Sequence, residues 1–158
     1  MKKLSFLFFA LITISLMGCS SDDDSSGGGN QDNTFYIRYT LNGVNYDFEP
    51  ETLTSLRTLI LGSGTINSDF SRISLWMPNG ATVGTHQITD DFVSDDNVDT
   101  LYSADVWIGD EVIDASSGTL VITELGDGYV KGTFSFTGTN DEGTTATITN
   151  GSFRAIRD

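Results

Sequence analysis

Alternation of apolar and polar residues with a period of two is the feature that most restricts how this chain can fold. It is clearest over 35–49, FYIRYTLNGVNYDFE, where two alternating runs flank Asn42-Gly43. Asn-Gly favours a type I′ turn, because both central residues of that turn need positive φ. The turn predicts a β-hairpin with four cross-strand pairs: Leu41 with Val44, Tyr39 with Tyr46, Ile37 with Phe48 and, on the opposite face, Arg38 with Asp47.

The same period continues along the rest of the chain. Further strands are predicted over 56–61, 70–77, 84–88, 101–108, 119–125, 129–137 and 144–156. Turn residues separate most of them, as in Pro78-Asn79-Gly80 and Gly126-Asp127-Gly128. Asn150-Gly151 is predicted to be a bulge inside the last strand, because apolar residues resume directly after it. No window shows apolar residues at helical spacing between caps.

This strand rhythm predicts an all-β domain over 35–158. Eight to nine short antiparallel strands at regular spacing favour a two-layer β-sandwich, and a β-barrel is the alternative. The residues left outside this range are too few for a second domain.

The first residues have the pattern of an export signal. Lys2 and Lys3 precede an apolar run over 4–17, which would be about 21 Å long as a helix. A hydrocarbon core is about 30 Å thick, so the run is too short to span it. The sequence therefore predicts a signal peptide over 1–18 that is removed on export.

The end of this run, Leu16-Met17-Gly18-Cys19, resembles the lipobox of bacterial lipoproteins. The resemblance implies cleavage before Cys19, a diacylglycerol on its sulfur and an acyl chain, such as palmitate, on the new N-terminus. Each buried CH₂ contributes about 0.8 kcal/mol, so three chains would hold a domain firmly on a bilayer. Cys19 is the chain's only cysteine, which also excludes an intramolecular disulfide.

Residues 19–34 are predicted to be a flexible acidic linker, because 20–34, SSDDDSSGGGNQDNT, contains no apolar side chain. The run SSDDD after Cys19 resembles the acidic export signal of Bacteroidota surface lipoproteins. That resemblance implies an outer-membrane lipoprotein exposed at the cell surface, and a periplasm-facing lipoprotein is the alternative.

Three segments near the C-terminus also resemble small Bacteroidota lipoproteins of unknown function. They are GTLVIT from Gly118, VKGTFSF from Val130 and ITNGSF from Ile148. These segments are strands and turns rather than catalytic motifs. The resemblance therefore implies a β-rich fold and lipid anchoring, and it implies no activity.

Composition narrows the function further. With 8 basic and 22 acidic residues the net charge is −14, which argues against nucleic acid as a partner. His86 is the only histidine and belongs to no nucleophile motif, so an enzyme is not expected. No cofactor is predicted. The expected role is a binding or structural module of the envelope, with a glycan or an envelope protein as its partner; a small hydrolase is the least favoured alternative.

Nine acidic residues and no basic one lie over 90–114. Within this segment Asp95, Asn97 and Asp99 have a spacing that could direct three oxygens at one calcium ion. The EF-hand pattern is incomplete, because Thr100 stands where that loop needs glycine. A solvated acidic loop is therefore the main interpretation, and a weak calcium site is the alternative.

Two other features indicate candidate surface sites. Asp99-Thr100-Leu101 resembles the O-glycosylation acceptor of Bacteroidota exported proteins, with Thr100 as the modified residue. Alternation also places Trp76 and Trp107 on the more polar faces of their strands. If those faces look outward, the two indoles could stack on a sugar ring. Filling the core or a sheet edge is the alternative role of the two tryptophans.

Overall fold

Eleven β-strands form the regular structure of residues 34–54, 57–66 and 68–157, the part of the chain that the computed structural model describes. In chain order they are β1 (Tyr36–Leu41), β2 (Val44–Phe48), β3 (Pro50–Thr54), β4 (Arg57–Ile66), β5 (Asp69–Pro78), β6 (Gly84–Thr89), β7 (Ser103–Ile108), β8 (Glu111–Asp114), β9 (Ser117–Gly126), β10 (Tyr129–Thr139) and β11 (Thr145–Ile156).

The strands form two antiparallel sheets that pack face to face and do not close into a barrel. The first sheet has the order β2-β1-β11-β10-β9-β6, and the second has the order β3-β4-β5-β7-β8. The predicted all-β sandwich is confirmed, with eleven strands rather than eight to nine.

The first hairpin has the predicted register. β1 and β2 pair Leu41 with Val44 and continue with the other three predicted pairs. Asn42 and Gly43 have φ of 46° and 88°, as a type I′ turn requires. The rings of Tyr39 and Tyr46 stack with centroids 5.0 Å apart. The position of the turn therefore predicted the register of this hairpin correctly.

The predicted bulge in the last strand is also confirmed. Asn150 has a φ of 53°, and the register of β11 shifts at this point against both β1 and β10. The extra residue restores the alternation, so that Ile148 before the bulge and Phe153 after it are both buried.

The core lies between the sheets and is built from alternate residues of most strands. Ile37, Leu120 and Phe153 from the first sheet and Ile73, Leu75 and Val106 from the second are fully enclosed. Gly62 of β4 allows close approach, since a Cβ at that position would lie 2.3 Å from the Ile37 side chain. The opposite faces of both sheets are left for solvent or for a site.

Strands β3 and β8 were not predicted, and both are short edge strands. β3 begins at Pro50, which cannot donate a ladder hydrogen bond and is tolerated at a strand start. β8 follows a two-residue turn at Gly109-Asp110, where Gly109 has a φ of 61°. Its first and last residues, Glu111 and Asp114, are acidic, so in the sequence β8 resembles a continuation of the acidic loop and not a strand.

The signal peptide, Cys19 and most of the linker lie outside the described residues, so their assignments stay predictions. Within the described part, no helix has the length and hydropathy needed to cross a bilayer.

Candidate ligand-binding site

The outer face of the second sheet carries the polar and aromatic residues that alternation placed together. On β5 the residues Arg72, Ser74 and Trp76 point away from the core, and on β7 Ser103, Asp105 and Trp107 do so. The antiparallel register places Trp76 beside Ser103, Ser74 beside Asp105 and Arg72 beside Trp107. Alternation placed these residues on common faces, and it left open whether the indoles face outward or fill the core; in the structure both lie on the outer face.

The Asp105 carboxylate organises this face. Ser74 Oγ donates to its Oδ1 at 2.9 Å, and Arg72 Nη2 donates to the same oxygen at 3.3 Å. Trp76 Nε1 donates to Oδ2 at 3.3 Å. The Asp105 side chain is only 14% exposed, so this hydrogen-bonded network satisfies a largely desolvated charge. It also fixes the orientation of the Trp76 indole.

Trp107 is less available than Trp76. The Arg72 guanidinium carbon lies 4.0 Å from the centre of the Trp107 ring and covers one of its faces. Trp107 Nε1 is buried and has no hydrogen-bond partner among the described residues. Since Trp107 pairs with Arg72, four residues from Trp76, the two indoles are separated by about 13 Å along the strands. They do not form one continuous platform.

Arg57, the first residue of β4, carries a buried charge next to Trp76. It is 6% exposed, and burial lowers the pKa of its guanidinium, which nevertheless stays protonated at physiological pH. Nη2 donates to the Leu101 carbonyl at 2.5 Å, and Nη1 donates to Ser103 Oγ at 3.3 Å. Among the described residues, its Nε has no hydrogen-bond partner and no carboxylate lies within ion-pair distance of this side chain.

Arg57 and Trp76 line a cavity of about 220 Å³. The guanidinium carbon lies 5.7 Å from the Trp76 ring centre. The end of β6 and the residues after it also border the cavity. The remaining lining residues are Thr89, Asp90, Asp91, Phe92, Val93, Ser103, Ala104, Asp105, Asp114 and Ala115. Phe92 is 85% exposed, and Val93 is 54% exposed. The cavity therefore combines an aromatic face, a buried cation, four carboxylates and an apolar rim.

A second depression, beside the first hairpin, is wider and shallower. It measures about 370 Å³ and is lined by residues that include Arg38, Tyr46 and Asp47. The charges of Arg38 and Asp47 are already paired there at 3.0 Å. We therefore regard the Trp76 cavity as the better candidate site.

Comparison with known proteins does not assign a function to this cavity. No family model, curated protein or solved structure matches the chain. Function is therefore inferred from the chemistry of the cavity and from the N-terminal sequence.

The predicted calcium residues lie in the loop between β6 and β7. Asp95 and Asp99 are exposed. Asn97 Oδ1 accepts from the Ser94 backbone N–H at 2.8 Å, and Asn97 Nδ2 donates to the Phe92 carbonyl at 2.9 Å. The Asn97 amide thus holds the loop itself. Among the residues with described positions, no three acidic or histidine side chains come together as a metal site, so geometry adds no support to calcium.

Thr100 and His86 lie apart from the cavity. Thr100 is exposed, and its hydroxyl donates to the Asn97 carbonyl at 3.3 Å, so its modification stays a prediction. The His86 ring stacks on Tyr102 at 4.0 Å, and Nε2 lies 2.8 Å from the Thr82 carbonyl. This packing joins the segment before β6 to the start of β7 and gives His86 a structural role.

Sequence reasoning missed Arg57, although one signal was present. Arg57 stands in the run Leu56-Arg-Thr-Leu-Ile-Leu61, where a cation lies within a mostly apolar segment. A charge in such a run is costly to bury unless it is hydrogen-bonded or paired. It could have been marked as a site candidate, but its neighbours Leu101 and Ser103 are more than forty residues away in sequence.

Proposed function

We propose that this chain is a lipid-anchored outer-membrane protein whose β-sandwich is a binding module, with the Trp76 cavity as its ligand site. The anchoring part rests on sequence: two lysines, a short apolar run and a lipobox-like ending at Cys19. The acidic run after Cys19 supports display at the cell surface. Trypsin treatment of intact cells tests this, because a periplasm-facing domain would stay uncut until the outer membrane is breached.

The observation that carries the binding proposal is the buried charge of Arg57. Desolvating a cation costs several kcal/mol, and carboxylates or hydrogen bonds normally offset that cost. Within the part of the chain that the structure describes, Arg57 has two hydrogen bonds to neutral acceptors for its five N–H donors, and it lines an open cavity. A few directed polar groups beside an aromatic face are typical of a small-molecule site. This combination supports a binding module over a purely structural role.

A hydrolase is less well supported, although two carboxylates share the cavity. Asp105 and Asp114 are directly opposite each other on β7 and β8, which places their Cβ atoms roughly 4.5–5.5 Å apart. This is close to the carboxyl spacing of a retaining glycosidase. Asp105, however, already accepts three hydrogen bonds, and Asp114 is exposed to water. A general acid needs an enclosed position that Asp114 lacks, so we retain binding.

Sedimentation with isolated cell envelopes tests the binding proposal. The full chain carrying Cys19→Ser, which cannot be acylated, is mixed with envelopes from the producing cells. We expect saturable retention that Trp76→Ala weakens by roughly 10-fold or more, the size of effect typical of a buried aromatic anchor. Phe70→Ala is the matched control, because Phe70 lies on the same outer face, is 44% exposed and does not line the cavity. Equal retention of the Trp76 variant, or no retention of the parent chain, would contradict the proposal.

A further inference from the structure

The size and charge of the Trp76 cavity restrict the chemistry of its ligand, if the proposed binding function holds. Its volume of about 220 Å³ is below the roughly 300–1,000 Å³ of sites for drug-sized ligands. A single six-membered ring or the end of a longer chain fits such a space. A folded protein surface could not enter it.

An anionic ligand is disfavoured by the carboxylates that surround the cavity. Asp90, Asp91, Asp105 and Asp114 all border it, and Arg57 is the only cation among its lining residues. The chain as a whole is also strongly acidic. Like charges in and around a partly enclosed space repel an incoming carboxylate or phosphate.

A cationic ligand is disfavoured for a different reason. A cation bound on the Trp76 ring would lie close to the positive charge of Arg57, whose guanidinium carbon is 5.7 Å from the ring centre. An uncharged ring meets no such repulsion. Asp105, the most enclosed carboxylate, is engaged by Arg72, Ser74 and Trp76, while the other three carboxylates are exposed and screened by water.

An uncharged polyol with one apolar face matches what remains. The axial C–H groups of a pyranose ring pack against an indole, and its hydroxyls both donate and accept hydrogen bonds. The exposed carboxylates at the cavity would accept from such hydroxyls, and the second N–H groups of Arg57 Nη1 and Nη2 would donate to them, whereas Nε is enclosed. Trp76 is held by its bond to Asp105, so the stacking face is preorganised.

The exposed rim adds an independent reason to expect a ligand over the cavity. Phe92 and Val93 are adjacent in sequence, exposed and part of the cavity lining. Asn97 holds the Phe92 carbonyl at 2.9 Å, so the backbone of this rim is anchored. A ring bound on Trp76 would remove apolar surface of the rim from water.

From these steps we infer that the Trp76 cavity binds one uncharged pyranose ring, stacked on the indole and hydrogen-bonded by Arg57 and the bordering carboxylates. The ring is a free monosaccharide or the terminal unit of a glycan. Trp107, covered by Arg72, takes no part in this contact.

Saturation-transfer NMR on the full chain tests the inference. The probes are uncharged methyl glycosides of glucose, galactose, mannose and N-acetylglucosamine, supplemented by a microarray of neutral glycans. Glucuronic acid, glucosamine and choline are the charged probes. We expect transfer to at least one uncharged sugar, affinity lowered roughly 10-fold or more by Trp76→Ala, and partial recovery in Trp76→Phe. Phe70→Ala should leave the affinity unchanged.

The outcomes separate this inference from the proposed function. Silence of all uncharged sugars, or preference for a charged probe, overturns the sugar inference, while envelope retention that depends on Trp76 leaves the binding function standing. Loss of both signals overturns both. Sugar binding that survives Trp76→Ala and Arg57→Leu places the sugar elsewhere and overturns the inference, provided that circular dichroism shows both variants folded.

Discussion

At the scale of single residues, the Asp105 carboxylate is the group on which the outer face of the second sheet depends. It accepts hydrogen bonds from Arg72, Ser74 and Trp76 in a largely desolvated position. Asp105→Asn keeps the shape but removes the charge and turns an –NH₂ group toward at least one donor. We expect a loss of about 1–3 kcal/mol in unfolding free energy. Urea denaturation measures it, and the exposed Asp114→Asn should stay within about 0.5 kcal/mol of the parent chain. Equal effects of the two changes would contradict this role.

Alkaline pH should reveal the buried tyrosines. Burial raises the pKa of Tyr39. The nearby Ser71 hydroxyl lowers this pKa in part, and repulsion from an ionised Tyr46 raises it further. Burial also raises the pKa of Tyr102. When the pKa of a tyrosine is higher in the folded than in the unfolded state, its contribution to the unfolding free energy is complete below the unfolded pKa, about 10. That contribution is lost as the pH rises through the folded pKa.

The unfolding free energy should fall as the pH rises above about 10. We expect Tyr39→Phe to make this fall smaller, and Tyr102→Phe to reduce it further. At neutral pH Tyr39→Phe should change unfolding free energy by only about 1 kcal/mol or less, because it removes a buried hydroxyl that has no partner among the described residues. Urea unfolding between pH 7 and about pH 11 tests both points. An unchanged alkaline slope in the double variant would contradict the assignment.

Part of the site could be predicted at this scale, and part could not. Alternation alone placed Trp76 with Arg72 and Ser74, and Trp107 with Ser103 and Asp105, because side chains two apart share a strand face. It could not show that Arg72 covers Trp107 or that Arg57 lies beside Trp76. Those contacts depend on which strands are neighbours, and local sequence carries little information about that.

At the scale of elements, the Asn42-Gly43 turn is the best test of how local chemistry fixes register. Gly43 has a φ of 88°, which a residue with a Cβ adopts at a cost of about 1–2 kcal/mol. Gly43→Ala should lower unfolding free energy by that amount. Gly80→Ala is the matched control, since Gly80 is also an exposed turn glycine, and a Cβ there meets nothing within 4 Å. Urea midpoints measure both changes, and a neutral Gly43 variant would argue against the turn.

Elements with strong alternation and turn residues were predictable, and edge strands were not. β10 alternates over eleven residues, and β11 alternates on both sides of its bulge, so the period of each strand is unambiguous. β8 has only four residues, Glu111-Val-Ile-Asp114, with an acidic residue at each end, too short a run to separate a strand from a polar loop. Short, charged edge strands resist pairing with other chains, which is why they resemble loops in sequence.

At the scale of the whole molecule, the sandwich class followed from the number of strands, whereas the strand order did not. β1 pairs with β11 across more than one hundred residues, and β6 joins the first sheet beside β9. Period and turns set which face of a strand is buried, but the pairing of distant strands is decided by packing of the complete core. The position of the Trp76 cavity therefore emerged only with the assembled sheets.

The central claim for the whole molecule is that an acidic binding domain is tethered to a bilayer through Cys19. Growth with radioactive palmitate, followed by recovery of the protein and membrane fractionation, tests it most directly. We expect label on the parent chain, recovery in the membrane fraction, and loss of both in Cys19→Ser, because the proposed lipidation needs the Cys19 sulfur before the N-terminus can be acylated. An unlabelled parent chain, or a Cys19→Ser chain that fractionates as the parent does, would contradict the claim.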